Sequence, residues 1–128
     1  MPRGKDDIMK ISEALSRLDS YLGESVEASE KLIWLDRIEG IIYEEIILTH
    51  EDEIPRPPSC FEGERELICS GPYSDLYIFY MAMQRDMQMR DNVSYANNMA
   101  AFASSYSAFA DHYNRRHMPK KEATKISL

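Results

Sequence analysis

Residues 94–117 read SYANNMAAFASSYSAFADHYNRRH. Tyr95, Met99, Phe102, Tyr106, Phe109 and Tyr113 step alternately by four and three, which sets six large side chains along one seam of an α-helix. Ala96, Ala100, Ala103 and Ala110 lie beside that seam and let a second helix approach closely. Large residues at this spacing mark a core face before they mark a ligand box. Met118 and Pro119 end the helix, because proline has no amide hydrogen to donate. A seam of this length needs helical partners, and the chain upstream supplies them.

Working outward, Leu76, Phe79, Tyr80, Met83 and Met87 carry a second stripe to about Arg90, opened by Pro72 with Asp75 in the first turns. Residues 91–94, DNVS, interrupt with poor helix formers, so the two stripes meet at a turn capped by Ser94 or at a kink. Near the start, Ile8, Ile11, Leu15, Leu18 and Leu22 predict an amphipathic helix over residues 7–22, and Gly23 stops it. Ser25 is placed to cap the next helix, whose one face carries Leu32, Leu35, Ile38, Ile42 and Ile46. Ile33, Trp34 and Ile41 widen that face, so this helix is expected to pack on more than one side. Gly40 within it invites a close approach by another group.

Residues 49–59 hold Pro55, Pro57 and Pro58 and read as an exposed loop. Cys60 and Phe61, the turn Glu62-Gly63-Glu64, and Leu67, Ile68 and Cys69 then predict a short β-hairpin. The expected fold is mainly α: a small bundle of about four helices with a short β-hairpin or loop excursion between helices 2 and 3. Residues 1–119 form a single helical domain in this reading, and residues 120–128 a flexible tail in which only Ile126 and Leu128 are apolar anchors.

The 128 residues suit one domain. Lys plus Arg number 15 against 22 Asp plus Glu, for a net charge of −7. The imbalance is local: residues 13–66 carry 15 acids and 5 bases, whereas residues 111–128 carry 5 bases and 2 acids. An acidic body argues against general nucleic-acid binding, since phosphate affinity comes from Lys and Arg, and no basic recognition helix is present. The first ten residues contain no apolar signal core, and the apolar runs are too short to span a bilayer. A soluble protein made in a cytoplasm is expected.

Chemistry-bearing patterns are sparse. His112 and His117 are five apart, off the shared face that an i, i+4 zinc pair needs. Glu44-Glu45 and Glu51-Asp52-Glu53 read as solvated helix and loop, and the glycines form no phosphate loop. Cys60 and Cys69 read as reduced structural thiols, and nothing local pairs either with His50 as a nucleophile. No catalytic residue, cofactor or metal ligand is assigned. Eight Tyr and eight Met are many for the length, and six of the tyrosines fall between residues 73 and 113. Both residue types favour interfaces, which predicts subunit contacts.

Three blocks carry a family resemblance. The first is Trp34-Leu35-Asp36 with Tyr43-Glu44-Glu45-Ile46-Ile47-Leu48-Thr49-His50-Glu51; the second is Glu66-Leu67-Ile68 with Pro72-Tyr73 and Leu76-Tyr77. The third runs Tyr95-Ala96-Asn97-Asn98-Met99 through Tyr113-Asn114-Arg115-Arg116-His117-Met118-Pro119-Lys120. In this order they resemble the small head–tail connector, or adaptor, proteins of siphophages and prophages of Gram-positive bacteria. The longer N-terminal segment and the two cysteines depart from that family. The resemblance implies a non-enzymatic virion component in the neck, between portal and tail. It implies a homo-oligomeric ring, a dodecamer on the portal, that extends the DNA channel and carries a stopper or tail-completion protein. Such a ring surrounds double-stranded DNA without binding it specifically and touches no membrane. Arg115, Arg116, His117, Met118, Pro119, Lys120 and Lys121 are the expected portal-docking residues, and Trp34, Tyr43, Tyr77, Tyr80, Met87 and Tyr95 the expected contacts between subunits. The other function compatible with these residues is a small phage-encoded module that binds one cytoplasmic partner.

Overall fold

The apolar stripes read from the sequence become four helices in the computed structural model, which describes residues 8–120. They are α1 (Ile11–Leu22), α2 (Ala28–Ile42), α3 (Asp75–Met89) and α4 (Asn92–Arg116). α3 and α4 form an antiparallel hairpin, with Asp86 facing Asn98, Tyr80 facing Phe102 and Tyr73 facing Phe109. α1 runs parallel to α3: Arg17 meets Asp75, Tyr21 packs edge-on against Phe79, and Glu24 takes both Arg85 nitrogens at 3.1 Å. α2 runs antiparallel to α3, as Glu30 with Gln88 and Glu39 with Tyr77 show. The core, built around Leu18, Leu35, Ile38, Ile42, Leu76, Tyr77 and Met81, lies where α1, α2 and α3 converge.

Local signals set most helix ends. Gly23 adopts a left-handed φ of 73° and its N–H bonds to the Asp19 carbonyl, the expected stop for α1. The break before α4 is a full turn. Arg90 is left-handed at φ 57°, and Asp91 caps α4 by accepting the Ser94 N–H at 3.1 Å. The helix therefore begins at Asn92, and Ser94 is a capped residue, not the cap. Ser25 does not cap α2 either; Glu27 holds the N-cap position, and Asp19 accepts the nearby Val26 N–H at 3.1 Å. At its far end α2 widens into a π-helical turn, Tyr43–Ile47, in which the Leu48 N–H reaches back to the Tyr43 carbonyl.

The expected hairpin between α2 and α3 is a loop. Among the described residues there is no strand ladder; Cys60–Glu62 is a 3₁₀ turn, and Glu66 makes one isolated antiparallel bridge with Lys10. The reason is competition for the loop's backbone donors. Asp36 takes the Cys60 N–H at 2.8 Å, Glu39 takes the Ile68 N–H at 3.1 Å, and the Tyr77 hydroxyl takes the Cys69 N–H at 2.7 Å. Helix side chains thus satisfy groups that a hairpin would have paired. Glu64 from the same loop accepts the Ser12 N–H at 3.0 Å, which tethers the start of α1 and holds the Glu64 carboxyl below its ordinary range. α1 accordingly starts at Ile11; its expected beginning at residue 7 lies outside the described residues.

Candidate interaction surface

The end of α4 and residues 117–120 form a built structure. His50 is buried where α2 ends: its Nδ1 donates to the Ile46 carbonyl at 2.6 Å, and its Nε2 meets the Asn114 side-chain amide at 2.8 Å. Tyr113 packs edge-on against His50 and stacks on His117 with ring centres 3.7 Å apart. Residues 117–120 then run antiparallel to residues 49–51. The Glu51 N–H donates to the Met118 carbonyl and the Lys120 N–H to the Thr49 carbonyl, each at 2.9 Å. His117 also touches the Asp52 carboxylate. Lys120, expected to open the tail, is therefore tied to the body, while Lys121 and the rest of residues 121–128 lie outside the described residues.

This end of the bundle is basic and aromatic. Arg115, Arg116 and Met118 are exposed, and neither arginine forms an ion pair among the described residues. Beside them Ile68, Pro72, Tyr73, His112, Tyr113 and Arg116 line a cavity of about 360 Å³. Partial burial, with Arg116 and Arg115 nearby, pushes the His112 pKa down, so its ring is neutral at pH 7. The expected portal-docking residues thus cluster on one end, positioned by the His50 contacts.

The expected subunit contacts divide. Trp34, Tyr43, Tyr77 and Tyr80 are buried within the subunit and present no surface to a neighbour. Two of their hydroxyls find partners inside, Tyr43 donating to the Ile54 carbonyl at 2.6 Å and Tyr77 to Glu39 at 2.5 Å. Tyr106 donates to Glu45 at 2.5 Å, whereas the buried Tyr113 hydroxyl has no partner among the described residues. Met87 is exposed and Tyr95 half-buried. Met89 and Val93, which no stripe claimed, are 60% and 74% exposed, and Met99, expected on the core seam of α4, is 48% exposed, with Met87 at 58%. A signal for them existed, since Met89 and Val93 fall off the buried stripes of both helices. Tyr43, Tyr77, Tyr80 and Tyr113 are core, whereas Met87, Met89, Met99 and Met118 are surface.

The loop under α2 is organised by a buried carboxylate. Glu39, 3% exposed, accepts from Arg65 Nη1 at 2.6 Å as well as from Ile68 and Tyr77. Burial and the Glu39 charge push the Tyr77 pKa well up, so its hydroxyl stays a donor. Cys60 and Cys69 are free and buried; burial raises the Cys60 thiol to about 12 and raises Cys69 further, which leaves both protonated and unreactive. Among the described residues no three His, Cys, Asp or Glu side chains group to hold a metal ion, and no helix is long and apolar enough to cross a membrane. Comparison with family models, with curated proteins and with solved structures yields no match.

Proposed function

We propose that this chain is a non-enzymatic structural subunit, a head–tail connector of a siphophage or prophage. It docks beneath the portal as a homo-oligomeric ring, extends the DNA channel, and links the head to a stopper and tail. The observation that carries this reading is the number of apolar side chains left exposed on the helices around the α3–α4 turn, Met87, Met89, Val93 and Met99. Exposed apolar side chains of this size are stabilised by burial against another protein. The basic end formed by Arg115, Arg116 and Lys120 supplies a second, different surface, as a repeated heterologous contact or a ring seated on a portal requires. The acidic body repels phosphates, so DNA passing through such a ring slides rather than sticks. The resemblance of three sequence blocks to connector proteins supports the same assignment.

The test is co-sedimentation of the full chain with its cognate purified portal, alongside a chain truncated after Pro119. The full chain is expected to pellet with the portal. The truncated one is expected to stay in the supernatant while keeping its helical circular dichroism. Equal binding by both removes the C-terminal segment from the docking surface. Absence of binding by the full chain, together with capture of one cytoplasmic partner, establishes the alternative interaction module instead.

A further inference from the structure

Asp86, in the last turn of α3, is 6% exposed. Its Oδ2 accepts from Asn98 Nδ2 at 2.8 Å, and Oδ1, unbonded among the described residues, is open to solvent. The carboxylate lines a cavity of about 450 Å³ at the α3–α4 turn, together with Met87, Arg90, Asn92 and Tyr95. Arg90, fixed in the left-handed region at φ 57°, sits at the rim and forms no ion pair with Asp86. A largely buried carboxylate with one solvent-facing oxygen, beside a thioether and a phenol and with Arg90 and Asn92 completing the lining, matches a guanidinium on an aliphatic stem. The charge meets Oδ1, and the methylenes and the planar head pack on Met87 and Tyr95.

The same chain carries such a group at its other end. Arg115 and Arg116 are exposed and without ion pairs among the described residues, and Met118 beside them is 64% exposed. They cannot reach the cavity of their own subunit. Tyr95 and Arg115 are twenty residues apart on α4, which is about 30 Å of helix.

We infer that the α3–α4 corner is a socket for a second copy of this chain, whose Arg115–Arg116 turn enters it with an arginine on Asp86 and Met118 against the exposed methionines. This deepens the oligomer reading above and rests on it. Each copy makes the contact once with its socket and once with its plug, a heterologous arrangement.

Charge variants at exposed positions test it without threatening the fold. Met87→Lys closes the socket with a like charge, and Arg115→Glu with Arg116→Glu spoils the plug. Sedimentation velocity over rising concentration reads self-association, and circular dichroism checks helicity. Wild type is expected to associate in a salt-sensitive manner, and each variant alone to associate at least about tenfold more weakly. Mixed, the two variants are expected to form a 1:1 pair, because one retains its plug and the other its socket. Wild-type-like association of either variant, failure of the mixture to pair, or a wild type that stays monomeric throughout overturns the socket. Portal binding is scored separately: variants that associate normally on a portal-bound protein sink the socket alone. Pairing without portal binding sinks only the connector assignment.

Discussion

Replacing Glu39 by alanine is expected to release the loop between α2 and α3 and to cost a large part of the fold's stability. Three donors converge on that carboxylate: Arg65 Nη1 at 2.6 Å, the Ile68 N–H at 3.1 Å and the Tyr77 hydroxyl at 2.5 Å. Tyr77 is fully buried and the Arg65 side chain is 16% exposed, so water replaces the lost acceptor poorly. An orphaned buried donor costs about 1–3 kcal/mol, and breaking a buried ion pair from one side about 3–5 kcal/mol. These overlap, so the expected total for Glu39→Ala is about 3–5 kcal/mol. Glu39→Gln keeps the volume and one acceptor but turns an N–H₂ toward donors, and is expected to cost less, about 1–3 kcal/mol. Tyr77→Phe removes one donor and strands the Cys69 N–H; combined with Glu39→Ala it is expected to be less than additive. Urea denaturation followed by circular dichroism measures the totals. Thiol labelling locates the effect, because Cys60 and Cys69 are buried under this loop and should react in Glu39→Ala under conditions where the helices persist. A loss below about 1 kcal/mol with both thiols still protected would refute the claim that Glu39 organises the loop.

Three further outcomes follow from the same geometry. Asp91→Ala is expected to cost about 1 kcal/mol by uncapping α4, with Asp91→Ser restoring most of it, read as urea midpoints. Gly40→Ala and Gly23→Ala should move thermal midpoints in opposite directions. At Gly40 a new methyl meets only the movable Arg56 guanidinium and gains up to about 1 kcal/mol of helix propensity, whereas Gly23 at φ 73° loses about 1 kcal/mol to strain. Stability is expected to be level between about pH 7.5 and 9 and to fall above it. Burial raises the thiols of Cys60 and Cys69 from 9.0, and burial with Glu39 raises Tyr77 from 10.0, so the unfolded chain releases protons that the folded chain keeps. Each fully buried group contributes a slope of about 1.4 kcal/mol per pH unit, and thermal melts across this range measure it.

Periodicity was enough for the helices, because burying a stripe is a local property of spacing. Leu18, Leu35, Ile38, Leu76 and Phe109 sit on stripes visible in the sequence, and all are buried. The loop was not legible, since residues 60–69 look like a hairpin until Asp36 and Glu39, about thirty residues earlier, take their amide hydrogens. One clue was present: Glu39 stands between Ile38 and Gly40 on a helix apolar on several sides, where a charge must find partners. The surface was misassigned at Trp34, Tyr43, Tyr77 and Tyr80 for a related reason. Amphipathic rings suit interfaces and cores alike, and whether a hydroxyl finds a partner indoors depends on contacts that spacing does not encode. The methionines at positions 87, 89 and 99 stayed outside because α3 and α4 end there with no other helix across them. Lys120 reads as the start of a tail in the sequence because the bond that fixes it comes from Thr49, far away along the chain.

The connector assignment is tested most directly by electron microscopy of the cognate portal incubated with an excess of this chain. The account predicts an added ring of density under the portal, with the channel continued through it and one copy of the chain per portal subunit. A portal that remains unchanged at saturating protein, with the chain folded by circular dichroism, would contradict it.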